Sequence, residues 1–214
     1  MKRRNFMLAG SVGLLAASRF GLKTNKHYIC PPCGCREDGK TFAEPGTCTA
    51  CGMTLIEKPA DPHSLSLIPA FLKLNEQVWT GGQPALEHLA KLKQEGVRSL
   101  INLRPVSEHA GEAEAARAQE LGLRYFNLPV VYNAPKAADA AAFLKLTDAE
   151  LPAGRVFIHC AAAIRVGAFW LIRRVIRDGW AYERALAEAN QIGLRNRPHL
   201  LEFVREYLAS KQTQ

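Results

Sequence analysis

Beyond residue 51 the chain has a single cysteine, Cys160, while the other five fall between Cys30 and Cys51. That scarcity excludes a disulfide framework spread over the whole fold and points to one local metal site plus one isolated thiol. Long apolar runs are also lacking. The run that ends near Leu15 is too short to cross a hydrocarbon core as a helix, so no integral membrane domain is expected. No stretch of Lys or Arg is interleaved with aromatics, which argues against nucleic acid as a partner. With 48% hydrophobic and 22% charged residues, the composition is neither disordered nor membrane-embedded. The 214 residues suit one ordinary domain with a small appendage, and the net charge of +8 favours anionic ligands without identifying them.

Lys2-Arg3-Arg4-Asn5-Phe6 precedes the short apolar run, and Ala16, Ala17 and Ser18 supply a small-residue cleavage site. Residues 1–18 therefore read as an export signal, and Arg3-Arg4-Asn5-Phe6-Met7 resembles the twin-arginine type. The expected location is periplasmic or otherwise extracytoplasmic. An ordinary secretory signal and an uncleaved N-terminal anchor are the alternatives.

Residues 28–56 contain two Cys-x2-Cys pairs, Cys30/Cys33 and Cys48/Cys51. Each pair suits a tight turn whose amides face sulfur, and two facing turns build a tetrahedral thiolate cage. Pro31 and Pro32 stiffen the first turn, and Gly52 follows the second. A segment with so few apolar side chains cannot fold on its core alone, so a metal ion is the expected cofactor. Zinc leads, with copper or iron as alternatives for an all-sulfur site. Cys35 and Met53 are additional ligand candidates, and disulfide pairing after oxidation is the competing reading. Tyr28, Cys30, Pro31, Pro45, Gly46, Cys48, Cys51, Gly52 and Met53 give the segment a resemblance to bacterial heavy-metal-binding modules, which often carry histidine where this chain has Cys33. Residues 57–75, punctuated by Pro59, Pro62 and Pro69, read as a linker, with one short apolar patch at Ile68–Leu74 placed to lead into the next domain.

From residue 76 to 210, strand and helix patterns alternate. Strands are expected at Val78–Thr80, Val97–Leu103, Leu123–Val130 and Arg155–His159. Helices are expected from Pro84 to Gly96, from Glu108 to Leu121, around Phe143–Leu146 and from Arg165 to Asp178. The order predicts an α/β fold with a mainly parallel sheet covered by helices. Arg173, Arg174 and Arg177 are expected on the wet side of the last helix.

The segment His159-Cys160-Ala161-Ala162-Ala163-Ile164-Arg165 lies between a buried strand and a buried helix, where ligands of such sheets bind. A loop entering a helix aims backbone amides at one spot, and the helix dipole favours an oxyanion and a thiolate there. Cys160 is the candidate nucleophile, and Arg165 can grip two oxygens with its planar fork. Ala161, Ala162, Ala163 and Ile164 form the candidate anion-binding loop, with His159, Arg104 and Asp139 as supporting candidates.

The Cys160-x4-Arg165 spacing, Trp79-Thr80-Gly81-Gly82-Gln83-Pro84 and Ile101-Asn102-Leu103-Arg104 resemble the cysteine-phosphatase superfamily. The likeness is to its bacterial branch related to beta-lactamase-hydrolase-like proteins, over roughly residues 76–195. The resemblance implies hydrolysis of phosphoesters through a phosphocysteine intermediate, on a phosphorylated or other oxyanionic substrate and without a cofactor for that chemistry. Ala163 stands where glycine is usual, Val166 replaces a common Ser or Thr, and residues 129–135 contain no aspartate to serve as general acid. Two other readings remain: an anion-binding, metal-handling protein of weak or no turnover, and persulfide chemistry at Cys160 as in sulfurtransferases.

Overall fold

A strand with only Val156, Phe157 and Ile158 between Arg155 and His159 is stable where both of its faces are covered. The computed structural model describes residues 26–59, 61–108 and 111–212, and the expected export signal lies outside the described residues. In chain order the strands are β1 (Tyr28–Ile29), β2 (Thr41–Phe42), β3 (Ile56–Glu57), β4 (Leu72–Lys73), β5 (Val78–Gly81), β6 (Val97–Asn102), β7 (Arg124–Asn127) and β8 (Arg155–His159). The helices are α1 (Leu86–Gln94), α2 (Gly111–Glu120), α3 (Ala137–Glu150), α4 (Ile164–Ile176), α5 (Tyr182–Ile192) and α6 (Pro198–Gln212).

A five-stranded sheet runs in the order β4-β5-β8-β6-β7, with β8 at its centre. β5, β6, β7 and β8 are parallel, and only the edge strand β4 is antiparallel to its neighbour. The expected mainly parallel sheet under helices is the observed architecture. Alternation along the strands sorts two cores. Val78, Ile101, Val156 and Ile158 face one side, with Phe143, Phe169, Ile172 and Val204. Trp79, Leu100 and Phe157 face the other, with Leu89, Leu92 and Ala118. Helices α1 and α2 thus cover one face, and α3 to α6 the other.

Several boundaries differ from the sequence expectation. Leu65 and Ile68 are buried with Trp79 and Phe157, and β4 joins the sheet, so the second half of the expected linker belongs to the domain. Its apolar patch outweighs its prolines. α1 begins at Leu86, where His88 Nδ1 accepts a hydrogen bond from the Ala85 amide at 3.2 Å. α2 begins at Gly111, leaving Val106–Glu108 as a separate single turn. Arg173 and Arg174 are not a wet face: their side chains are only 12% and 13% exposed and pair with Asp148, Asp178 and Glu188.

The strand order brings β8 and α4 to the middle of the molecule. From Arg165 to Ile172 every residue of α4 is buried, because α5 and α6 pack over it. The close approach of α5 requires Gly167, where an added Cβ would lie 2.7 Å from the Ala189 carbonyl oxygen. We therefore expect Gly167→Ala to destabilise the protein by about 1–3 kcal/mol, as overpacking against fixed backbone does. Urea unfolding checks this, and an unchanged midpoint would contradict the tight α4–α5 contact.

Candidate active site and metal centre

At the carboxyl end of β8 the chain turns into α4 through residues 160–163. Two backbone bonds pin this loop to the end of β5: the Cys160 amide donates to the Gly81 carbonyl at 3.4 Å, and the Gln83 amide donates to the Ala161 carbonyl at 3.1 Å. Gly82 makes that approach sterically open, since a Cβ there would meet the Ala161 oxygen at 2.6 Å. Ala163 is the N-cap of α4 with φ 60° and ψ 0°, the left-handed region. For a residue with a Cβ this costs roughly 1–2 kcal/mol, which fits a loop bent for its position rather than its comfort. The first amides of α4 have no intrahelical acceptor and open toward the loop.

Cys160 is 1% exposed and Arg165 3%. A buried guanidinium needs carboxylate or carbonyl partners, and Arg165 has both. Its Nη1 and Nη2 donate to the two oxygens of Glu108 at 2.8 and 2.6 Å, and Nη1 also donates to the Val130 carbonyl at 3.0 Å. Burial acts against its charge, but Glu108 and the adjacent Cys160 sulfur outweigh it and raise its pKa further. Arg165 in turn holds the Glu108 carboxyl below its ordinary range. Glu108 is the site residue that sequence reasoning missed, being read there as a helix start. The buried arginine it balances was the available signal.

Beneath the loop lies a second carboxylate, Glu114, 3% exposed. It accepts hydrogen bonds from Gln83 Nε2 at 2.9 Å, Asn102 Nδ2 at 2.8 Å and Tyr125 Oη at 3.1 Å, and His159 Nε2 lies 3.2 Å away. Burial, followed by the Glu114 charge, pushes the Tyr125 hydroxyl pKa up. His159 therefore sits under the loop, stacked on Phe157 at 5.6 Å, as a support rather than a pocket group. Arg104 reaches the same network, its Nη1 donating to Gln83 Oε1 at 2.8 Å, and it flanks Glu108. Asp139 does not join them: its carboxylate accepts from the Lys136 amide at 2.9 Å and caps α3. No carboxylic acid from the 129–135 segment faces Cys160, as its sequence requires.

The cysteine module folds as a three-stranded antiparallel sheet, β2-β1-β3, with Cys30 directly after β1. The second turn closes through the Cys48 amide to the Met53 carbonyl at 2.8 Å and the Gly52 amide to the Cys48 carbonyl at 2.9 Å. Sulfurs of Cys30, Cys35, Cys48 and Cys51 gather within 4.8 Å of one another. Cys30 lies 3.4 Å from Cys51 and 3.9 Å from Cys35, and Cys35 lies 3.9 Å from Cys48. Four sulfurs about 2.3 Å from a tetrahedral ion are roughly 3.8 Å apart, so the set fits a zinc-sized ion. Burial and its sulfur neighbours push the Cys30 thiol pKa up, while the Met53 amide first of all draws Cys51 down to about 7.

Cys35 thus stands where the sequence pattern expected Cys33. Asp38 accepts from the Cys33 amide at 3.0 Å and from both neighbouring thiols, Cys33 at 3.4 Å and Cys35 at 3.7 Å. Cys33 remains 3.8 Å from Cys30 and forms a second overlapping group with Cys30, Cys35 and Asp38. Met53 packs under the knuckle beside Cys30 and Cys48.

Comparison with known proteins bears on both units. Residues 27–58 match the heavy metal binding domain family. Beta-lactamase hydrolase-like proteins of Xylella fastidiosa and Agrobacterium fabrum are 33% and 31% identical over 111 and 113 residues, half of this chain. The match spans only 25% of those relatives' length. A DUF442 protein of Shewanella putrefaciens superposes with a TM-score of 0.57 at 26% identity, over 67% of this chain and 91% of that one. TpbA of P. aeruginosa, solved in complex with phosphotyrosine, shares the fold with a TM-score of 0.54 at 18% identity, over 69% and 87% of the two chains. Residues 71–198, more than half of the sequence, match the family described as DSP-PTPase phosphatase fused to NAD+ kinase, and the chain belongs to that phosphatase-like family.

Proposed function

We propose that the protein is an extracytoplasmic cysteine-dependent phosphatase that carries an accessory zinc knuckle. The observation that carries the catalytic proposal is the placement of Cys160 and Arg165 at the two ends of one loop, where the central parallel strand enters the buried helix α4. The Cys160 sulfur attacks phosphorus, the ester P–O bond breaks, and the alcohol leaves as its oxyanion. Water then attacks the phosphocysteine, the P–S bond breaks, and the thiolate and inorganic phosphate are regenerated with a proton released to solvent. The amides at the head of α4 and the Arg165 guanidinium stabilise charge on the equatorial oxygens. Glu108, held ionised by Arg165, is a poor proton donor, so esters with good leaving groups are the favoured substrates. The signal-like sequence of residues 1–18, with Arg3-Arg4 ahead of a short apolar run, supports the location.

A bound zinc ion would cross-link the knuckle and stabilise its fold. Cys30, Cys35, Cys48 and Cys51 would hold it as thiolates. A second reading, an anion-binding and metal-handling protein without turnover, is favoured by the enclosure of Cys160 and by Glu108 already occupying Arg165.

Three measurements test these statements. Hydrolysis of 4-nitrophenyl phosphate by the purified protein should fall at least a hundredfold in Cys160→Ser, a loss of roughly 2.7 kcal/mol or more in transition-state stabilisation; equal rates favour the second reading. Metal content by mass spectrometry should drop below half an ion per chain in Cys35→Ser, while Cys33→Ser retains the full complement; the reverse order would restore the spacing-based ligand set. The folded-state pKa of Glu108 is depressed, so its contribution to stability is complete above the unfolded value of about 4.3 and is lost as pH falls through the folded one. Glu108→Gln should therefore unfold earlier than wild type at pH 7, with the gap narrowing below about pH 4. A gap independent of pH would show that charge plays no role.

A further inference from the structure

The cysteine knuckle and the catalytic loop share a cavity. It has a volume of about 670 Å³, and the knuckle contributes Pro31, Pro32, Cys33 and Met53 to its wall. The domain contributes Pro69, Ala70, the loop residues Ala161, Ala162 and Ile164, and two cations, Arg195 and Arg197. This size lies within the roughly 300–1,000 Å³ of small-molecule sites. Cys160, 1% exposed, heads the loop whose following residues line the cavity, and it is not itself on the wall.

Arg195 and Arg197 occupy the short connection between α5 and α6 and are exposed. Neither makes an ion pair or a side-chain hydrogen bond among the described residues, whereas Arg155, Arg165, Arg173 and Arg174 are all paired. The backbone at Arg195 and Asn196 is left-handed, with φ 43° and 46°, a conformation that is uphill for residues with a Cβ. Among the described residues the only carboxylate on the wall, Asp38, is occupied by the Cys33 and Gly34 amides. Two guanidiniums with no partner among the described residues thus share a cavity wall with three prolines, a methionine and the anion loop.

Resting on the phosphatase reading, we infer that this cavity binds small organic phosphoesters that carry a second anionic group. The phosphoryl group enters the loop at Cys160, the organic body lies against Pro31, Pro32 and Met53, and the distal anion is taken by Arg195 and Arg197. The knuckle is then a wall of the substrate site and not a remote appendage.

The test is binding to full-length, metal-loaded Cys160→Ser protein, measured by titration calorimetry with phenyl phosphate and 4-carboxyphenyl phosphate. The carboxylated ligand should bind about tenfold more tightly, as a charge-assisted bidentate contact allows. That preference should vanish when Arg195→Ala and Arg197→Ala are added. Pro32→Glu, which places a carboxylate on the wall to repel the ligand's own carboxylate and compete for the arginines, should weaken the carboxylated ligand severalfold with metal content retained. Equal affinities for the two ligands, or a preference that survives loss of both arginines, would overturn the inference. A Kd indifferent to Pro32→Glu would remove the knuckle from the site. Failure of the phosphatase reading reads differently: the ligand preference persists while wild-type protein shows no Cys160-dependent hydrolysis.

Discussion

A guanidinium almost fully withdrawn from water organises the active end of this domain. Arg165 is fixed by its place in the first turn of α4, inside the packed core, and its charge must be balanced where it stands. Glu108 and the Val130 carbonyl supply that balance, and each comes from a loop after a different strand of the sheet. The bonds therefore draw the segments after β6 and β7 onto the head of α4. They also set a competition, because an oxyanion brought to Arg165 would have to share or displace the carboxylate. Glu108 pairs with Arg104 as well, so a carboxylate released from Arg165 still has a cation beside it.

Glu114 has the corresponding role in the layer below. A carboxylate at this depth is tolerable only when its lone pairs are filled, and donors on or just after β5, β6 and β7 converge on it. Its partners link Gln83, which also holds the Ala161 carbonyl through its amide, to Asn102 at the end of β6. The loop of the candidate active site is thereby supported by a polar network beneath and by hydrophobic packing behind.

The central strand was legible because Val156-Phe157-Ile158 is a continuous apolar run, and the Cys160–Arg165 loop because it falls where that strand gives way to a helix. Local pattern could not reveal partners distant in sequence. Glu108 lies 57 residues from Arg165, and nothing near it in the chain marks it as a counter-charge. The hairpin strand at Leu72–Lys73 escaped because it is only two residues long and follows Pro59, Pro62 and Pro69, although Leu65 and Ile68 beside it are buried. The two overlapping groups, Cys30 and Cys35 with Cys48 and Cys51 or with Cys33 and Asp38, were beyond spacing arguments, because they depend on how the first turn folds.

The short antiparallel strand β4 has a wider effect through the chain it anchors. Only the residues 58–64 separate the end of β3 from the packed Leu65, a tether whose full extension is roughly 25 Å. The tether keeps the knuckle near the domain, so any weak attraction between the two units acts at a high local concentration. Mixing the two pieces as separate polypeptides would dilute that encounter by orders of magnitude.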